Sequence, residues 1–290
     1  MIHVVQAIVS GILIGGVYGL FSIGLTLILG VTRLTNFAHG EFIMLGMYLT
    51  YVAFTYFSIN PFLSIVIVAP LMYVFGLVIY RLLYRKVLSQ SELVQIVLTV
   101  ALSLVIQTAM MMIFTPNIRS ISTPYAQTFY HLGPFFVNQA QFIAFMIVIA
   151  CSIALSLFLT RTDLGKAIRA TVDDREMALM IGINIQKIYA LPVGLGSALA
   201  GVAGAVILTY FPLFPTVGAT FLVMAFVSIV MGGMGSVMGA LIGGMLVGIT
   251  QQVSTVYLPY DLQNGTLFVL FITFLLFKPT GLMGRRLTYG

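Results

Sequence analysis

Residues 188–260 read IYALPVGLGSALAGVAGAVILTYFPLFPTVGATFLVMAFVSIVMGGMGSVMGALIGGMLVGITQQVSTVYLPY, 73 consecutive positions without a Lys, Arg, Asp or Glu. As one straight helix this stretch would run roughly 110 Å, against about 30 Å for the hydrocarbon core of a bilayer. It must therefore fold back on itself more than once in an apolar medium. Its breaks are Phe211-Pro212-Leu213-Phe214-Pro215 and Gly232-Gly233-Met234-Gly235-Ser236, where proline and glycine interrupt a helix.

Working outward, charge is absent from residues 1–32, 42–80, 93–118, 120–160 and 262–277 as well. At about 20 residues per crossing, the first gap is one span and the second is two, hinged at Asn60-Pro61. The third is Leu93–Phe114. The fourth holds a polar loop, about Thr115–Asn138 with Pro116, Pro124 and Pro134, and then a span to Leu159. A last span is Leu262–Phe277. The fold class is all-α: a polytopic transmembrane helical bundle of eight or nine segments, one domain over residues 1–290. The open point is whether residues 220–232 cross or re-enter.

Cations set the orientation. Arg33, then Arg81, Arg85 and Lys86, then Arg161, Lys166, Arg169, Arg175 and Lys187, then Lys278, Arg285 and Arg286 share one side if the N-terminus is outside, leaving only Arg119 opposite. A cytoplasmic C-terminus then requires an odd number of crossings, which favours nine, with Gly232–Ser236 a tight cytoplasmic turn between two short segments. The start, Met1-Ile2-His3-Val4, lacks a basic n-region and leads into a run too long for a signal's apolar core, so a retained first span is expected. Trp is absent, and Tyr56, Tyr80, Tyr84, Tyr257 and Tyr260 are the expected interfacial anchors.

Composition agrees. Charged residues make up 7% of the 290, hydrophobic residues 60%, and mean hydropathy is +1.12. A soluble domain carries about 25% charged residues, so a cytosolic enzyme, a nucleic-acid binder and a disordered chain are excluded, and membrane lipid is the expected surroundings. The +6 balance lies in short clusters between apolar runs and orients spans. The single cysteine, Cys151, sits in an apolar run and offers neither a disulfide nor a metal pair. No H-E-x-x-H, G-x-S-x-G or P-loop pattern occurs, and Gly233-Met234-Gly235-Ser236-Val237-Met238-Gly239 has the wrong spacing for a nucleotide fingerprint. Catalysis, a bound cofactor and a metal site are therefore not expected of this chain.

Glycines recur every four residues at Gly11, Gly15 and Gly19 and at Gly235, Gly239 and Gly243, with Gly244 and Gly248 as a second pair and Ser197, Gly201, Gly204 and Ala205 between. Such ridges let helix backbones approach closely. A ridge in each half points to an internal repeat with broken helices, echoed faintly by Phe37–Phe42 against Thr216–Phe221.

Two polar constellations remain. Asn36-Phe37-Ala38-His39-Gly40-Glu41 reads either as a hydrated interfacial segment, with Glu41 in the first turn of the next helix, or as an irregular segment lining a pathway or its inner gate, since an ionisable residue inside a membrane marks function by default. Asn36, His39 and Glu41 are its candidate pathway residues. Gly232, Gly233, Gly235 and Ser236 are candidates for a gate hinge, or equally for an inert packing turn. The loop 161–187 holds a short amphipathic helix, about Asp174–Ile181, begun by Asp173 or Asp174 with Glu176 in the capping region and ended by Gly182. Its Met177, Leu179, Met180 and Ile181 suit a docking face for a soluble partner or a contact with the membrane surface.

In combination, Asn36–Glu41, the loop from Leu164-Gly165-Lys166-Ala167-Ile168-Arg169-Ala170 through Ile181-Gly182-Ile183-Asn184, Gly232–Ser236 and the tail Lys278–Gly284 resemble the branched-chain amino-acid ABC importer permeases of the LivH type, in order over about residues 4–286. The resemblance implies a permease subunit in a bacterial inner membrane. Its expected partners are a second, similar permease, two cytoplasmic ATPases that hydrolyse ATP, and a periplasmic substrate-binding protein. It also implies that the loop helix fits a cleft on the ATPase through Asp173, Asp174, Arg175, Glu176, Ala178, Met180, Gly182, Ile183 and Asn184, with Ile181 where Leu is usual. Relatives carrying urea or short amides share these motifs. Two readings outside the family stay open: an ion-coupled carrier using Glu41, and an assembly protein with no pathway.

Overall fold

The computed structural model describes residues 2–133, 135–278 and 280–283, and its secondary structure is almost wholly helical. In chain order the elements are α1 (Ile2–Thr32), α2 (His39–Phe57), α3 (Pro61–Ile79), which continues through a π-helical turn Tyr80–Tyr84 into α4 (Arg85–Val87), α5 (Glu92–Phe114) and the short α6 (Pro124–Gln127). A hairpin of β1 (Phe129–Leu132) and β2 (Phe135–Asn138) follows. Then come α7 (Gln139–Arg161), α8 (Asp163–Asp173), α9 (Arg175–Met180), α10 (Ile185–Ile207), α11 (Val217–Gly232), α12 (Val237–Tyr257) and α13 (Tyr260–Phe277).

Helix starts are written in side chains that accept the orphan N–H groups of the first turn. Asn60 caps α3, Asn138 α7, Thr162 α8, Asp174 α9, Asn184 α10 and Ser236 α12. The break at Asn60-Pro61 falls where expected, with Pro61 as the first residue of α3 and Ser58 at φ 55° ending α2. The polar loop 115–138 is more ordered than its composition promises. The Gln6 side-chain amide donates to Phe136 O (2.6 Å) and accepts from Phe136 N (3.0 Å), fastening the hairpin to α1.

Among the described residues, six helices are long and apolar enough to cross a membrane: Ile2–Thr32, Pro61–Val87, Glu92–Phe114, Gln139–Arg161, Ile185–Ile207 and Val237–Tyr257. Val217–Gly232 and Gly265–Phe277 are shorter apolar helices, and α2 begins with His39-Gly40-Glu41, which lowers its apolarity. This is an all-α polytopic helical membrane protein. At 21 residues, α12 is longer than the short segment expected after Gly232–Ser236.

α1 and α10 form the core, 89% and 78% buried over their spanning windows. α1 packs antiparallel on α12: a Cβ on Gly15 would meet Gly244 O at 2.6 Å and Met245 Cα at 2.7 Å. The glycine ridge of α1 thus faces Gly244 and Gly248, while Gly239 and Gly243 face the end of α11. α10 packs on α3 in the same way, Gly201 against Met72 and Ser197 against Gly76. Tyr80 and Tyr84 correct the expectation of interfacial anchors, being 3% and 1% exposed. Their hydroxyls donate to Gln186 O (2.9 Å) and Asn36 Oδ1 (2.8 Å). Tyr56 and Tyr257 are exposed as expected. The Tyr260 side chain, Arg285 and Arg286 lie outside the described residues.

Candidate functional site

After Thr32 the chain turns back into the bundle. Arg33 adopts φ 57°, Thr32 Oγ1 accepts from Leu34 N, and Asn36 Oδ1 accepts from Ala38 N at 3.0 Å. α2 then begins beside the middle of α1, with His39 Nε2–H donating to Phe21 O at 2.9 Å, about 16 Å back from the end of α1 at 1.5 Å per residue. Glu41 Oε1 accepts from Ser103 Oγ (3.2 Å), the central residue of α5. Asn36 and His39 are fully buried and Glu41 is 2% exposed. The hydrated interfacial reading of Glu41 is therefore overturned, although the residue does stand in the first turn of α2.

A second chain break meets the first at this depth. Residues 208–216 lead from the end of α10 to α11, whose Gly218 lies against both Gly40 and the Glu41 carboxylate. Neither α2 nor α11 has a side-chain N-cap. Two helix N-termini thus converge on one buried carboxylate. Each carries about half a positive charge, so together they offset about one negative charge. Among the described residues the ion pair present is Lys166–Asp163 on the surface, and no cation is paired with Glu41. Asn36 Nδ2, His39 Nδ1 and Glu41 Oε2 have no hydrogen-bond partner among the described residues. An uncompensated buried polar atom is costly, and three in one segment mark a place shaped by something other than stability.

Sequence reasoning singled out Asn36, His39 and Glu41 but missed Ser103, Tyr84 and Gly218. Gln95, Thr99 and Ser103, spaced by four on α5, carry a readable signal: Gln95 and Thr99 are buried, and Thr99 Oγ1 donates to Thr35 O at 3.2 Å.

Gly232, Gly233, Gly235 and Ser236 are not part of this cluster; they lie at the other end of α11. Gly233 (φ 104°) and Gly235 (φ 85°) make the turn, and Ser236 Oγ accepts from Gly239 N to start α12. The tail closes over it, Leu282 N donating to Met231 O and Met283 N to Gly232 O, both at 2.9 Å. Gly284, the last residue of the tail motif, lies outside the described residues.

The loop 161–187 forms two helices where one was expected. Thr162 caps α8 through Gly165 N (3.0 Å). Asp174 ends α8 and caps α9 through Met177 N (2.9 Å). α9 spans Arg175–Met180, slightly shorter than expected, and Gly182 at φ 86° ends it with Ile183 N donating to Ala178 O. Ala178 points inward at 1% exposure, and Arg175 stacks over the Tyr189 ring at 5.7 Å. Asn184 turns to cap α10 through Lys187 N. Asp173 closes α8, and Glu176 stands exposed in the first turn of α9. Met177, Leu179, Met180 and Ile181 form an apolar face, Met180 80% exposed.

At the opposite end, Arg119 bridges to Leu213 through paired backbone hydrogen bonds of 2.8 Å and donates to Tyr51 Oη and Phe114 O. It pins the segment leading into α11 to the C-terminal halves of α2 and α5. Nearby, a recess of about 450 Å³ is lined by Gln6, Ser10, Asn138, Gln141, Tyr210 and Gln252, with no charged group among the described residues.

Broken helices meeting around buried polar groups, inside a bundle of membrane-length helices, define a transporter-like membrane protein. More narrowly, the chain belongs to the family described as branched-chain amino acid transport system / permease component, which it matches over residues 7–277. It is 31% identical over 296 aligned positions to the high-affinity branched-chain amino acid transport system permease protein BraD of Pseudomonas aeruginosa, covering 98% of this chain and 96% of that one. LivH of Escherichia coli, a permease protein of the same description, is 28% identical over 306 positions, with 98% and 96% covered. The probable branched-chain amino acid transport permease protein LivH of Methanocaldococcus jannaschii is 28% identical over 277 positions, with 91% and 88% covered. No solved structure matches the chain.

Proposed function

We propose that this chain is the transmembrane permease subunit of an ABC importer that moves branched-chain amino acids across a bacterial inner membrane. In this reading the chain is not an enzyme and binds no cofactor of its own. ATP is hydrolysed by two cytoplasmic ATPase subunits, a second permease completes the membrane part, and a periplasmic binding protein delivers substrate. The chain crosses nine times, N-terminus outside and C-terminus inside. α2 and α11 each complete a crossing that starts as irregular chain, which puts α8 and α9 in the cytoplasm and Arg119 outside.

The observation that carries the reading is the exposed apolar face of α9, held on a rigid, doubly capped loop. A solvated connector has no use for such a face, whereas a soluble motor has to push on something. The substrate follows from the relatives, BraD and LivH, which are permease proteins of high-affinity branched-chain amino acid transport systems. The uncharged, amide-lined recess at the Arg119 end favours one second reading, a urea or short-amide importer.

The test is ATP-dependent uptake of labelled leucine into vesicles containing the chain, its ATPases and its binding protein, compared with Gly182→Asp. Uptake lost in the variant together with ATPase co-purification supports the assignment. Uptake driven by an ion gradient without ATPases overturns it and makes Glu41 the coupling group. Absent leucine uptake with intact ATPase association redirects the substrate to urea.

A further inference from the structure

A recess of about 430 Å³ opens between α3 and α10 at the end of the bundle that carries α8 and α9. Its polar wall holds Arg81, Arg85 and Lys187, and among the described residues no Asp or Glu lines it. Its other wall is apolar, with Leu77, Ala190 and Leu191. We infer that this recess is a binding site for the headgroup of an anionic phospholipid, whose phosphate lies among the three cations while its chains run along α3.

Three features of the fold lead there. First, the π-helical turn Tyr80–Tyr84 adds a residue to the helix just where the recess forms, and such turns recur at functional sites. Here it buries Tyr80 and Tyr84 together and fastens them to Gln186 O and Asn36, which leaves the following residues, Arg81 and Arg85, both exposed at the rim. Second, Lys187 occupies the first turn of α10, which holds no acidic residue. A cation at a helix N-terminus is disfavoured by the dipole, whereas a bound anion would be welcomed by both the lysine and the helix end. Third, the face of α3 and its π-helical turn beside the recess is apolar and exposed, with Val74 55%, Val78 44% and Leu82 57%. A free anion has no use for that surface. A lipid whose head sits at the basic rim and whose tails follow this face uses both, as basic recesses between membrane helices do elsewhere.

The test is native mass spectrometry of the full chain in a neutral detergent, titrated with phosphatidylglycerol, with phosphatidylcholine of the same chains, and with inorganic phosphate. The variant Arg81→Gln/Arg85→Gln/Lys187→Gln is expected to weaken phosphatidylglycerol binding on the order of 100-fold and to leave phosphatidylcholine unchanged. A control with equal charge loss, Arg161→Gln/Lys166→Gln/Arg169→Gln, should stay within about threefold of wild type. Ala190→Phe, which keeps every charge and fills the apolar wall, should also weaken phosphatidylglycerol and covers the case in which the triple variant does not fold. Equal affinity for the two lipids, or equal weakening by the control, would overturn the site. Inorganic phosphate binding as tightly as phosphatidylglycerol would make it a free-anion site instead. Lipid binding unchanged in the triple variant, with loss of ATPase co-purification, would assign the recess to an acidic protein surface and also overturn the proposal.

Discussion

Glu41 is the residue on which the centre of this molecule turns. A buried carboxylate usually needs a cation; here the first turns of α2 and α11 supply the compensation and Ser103 one hydrogen bond. Glu41→Gln keeps the shape and can accept the same bond, so the protein should still fold, with leucine uptake reduced at normal expression. Unchanged uptake would mean that the carboxylate only braces the helices. Gly40 is the more fragile neighbour. A Cβ there would run into the backbone carbonyl of Gly218, which cannot step aside as a side chain can, and overpacking of this kind costs about 1–3 kcal/mol. Gly40→Ala should therefore lower the unfolding midpoint in detergent more than Glu41→Gln does. The reverse order would place the strain elsewhere.

At the scale of elements, α9 and the residue after it place a packing side chain beside an exposed apolar face. Ala178 is buried against the bundle while Met180 and Ile181 point away, 80% and 69% exposed. Met180→Asp should abolish ATPase association and ATP-driven uptake with little change in thermal stability, whereas Ala178→Asp should destabilise the chain itself. Pull-down and a melting curve on the same preparations distinguish the two. This helix, and the spans at large, were readable in the sequence because their signals are local. Uncharged runs set α1, α5 and α7, Asn60-Pro61 set the start of α3, and Asp174 and Gly182 bracket α9. What could not be read depends on distant partners. Ser103 and Gly218 meet Glu41 across 62 and 177 positions of chain, and the hairpin 129–138 is fastened to α1 by Gln6 across 130 positions.

For the whole molecule, the packing exchanges partners between the two halves of the chain. α1 of the first half lies on α12 of the second, α10 of the second lies on α3 of the first, and the first turns of α2 and α11 meet between them. An internal repeat with broken helices predicts such an exchange, and the faint echo between Phe37–Phe42 and Thr216–Phe221 falls on those two turns. Two halves that interlock in this way depend on close backbone approach at the exchanged contacts. Gly244 is one such contact: a Cβ there would run into the backbone of Gly19 and the carbonyl of Gly15. Gly265 on α13 faces open space, with nothing within 4 Å of an added Cβ. The same substitution should then act with opposite sign at the two positions. Gly244→Ala is expected to lower stability by about 1–3 kcal/mol, since a backbone cannot step aside as a side chain can. Gly265→Ala should be neutral or raise stability by up to about 1 kcal/mol, because alanine favours the helix. Unfolding midpoints of both variants in one detergent decide the matter, and equal shifts would show that the exchanged contact is not what holds the halves together.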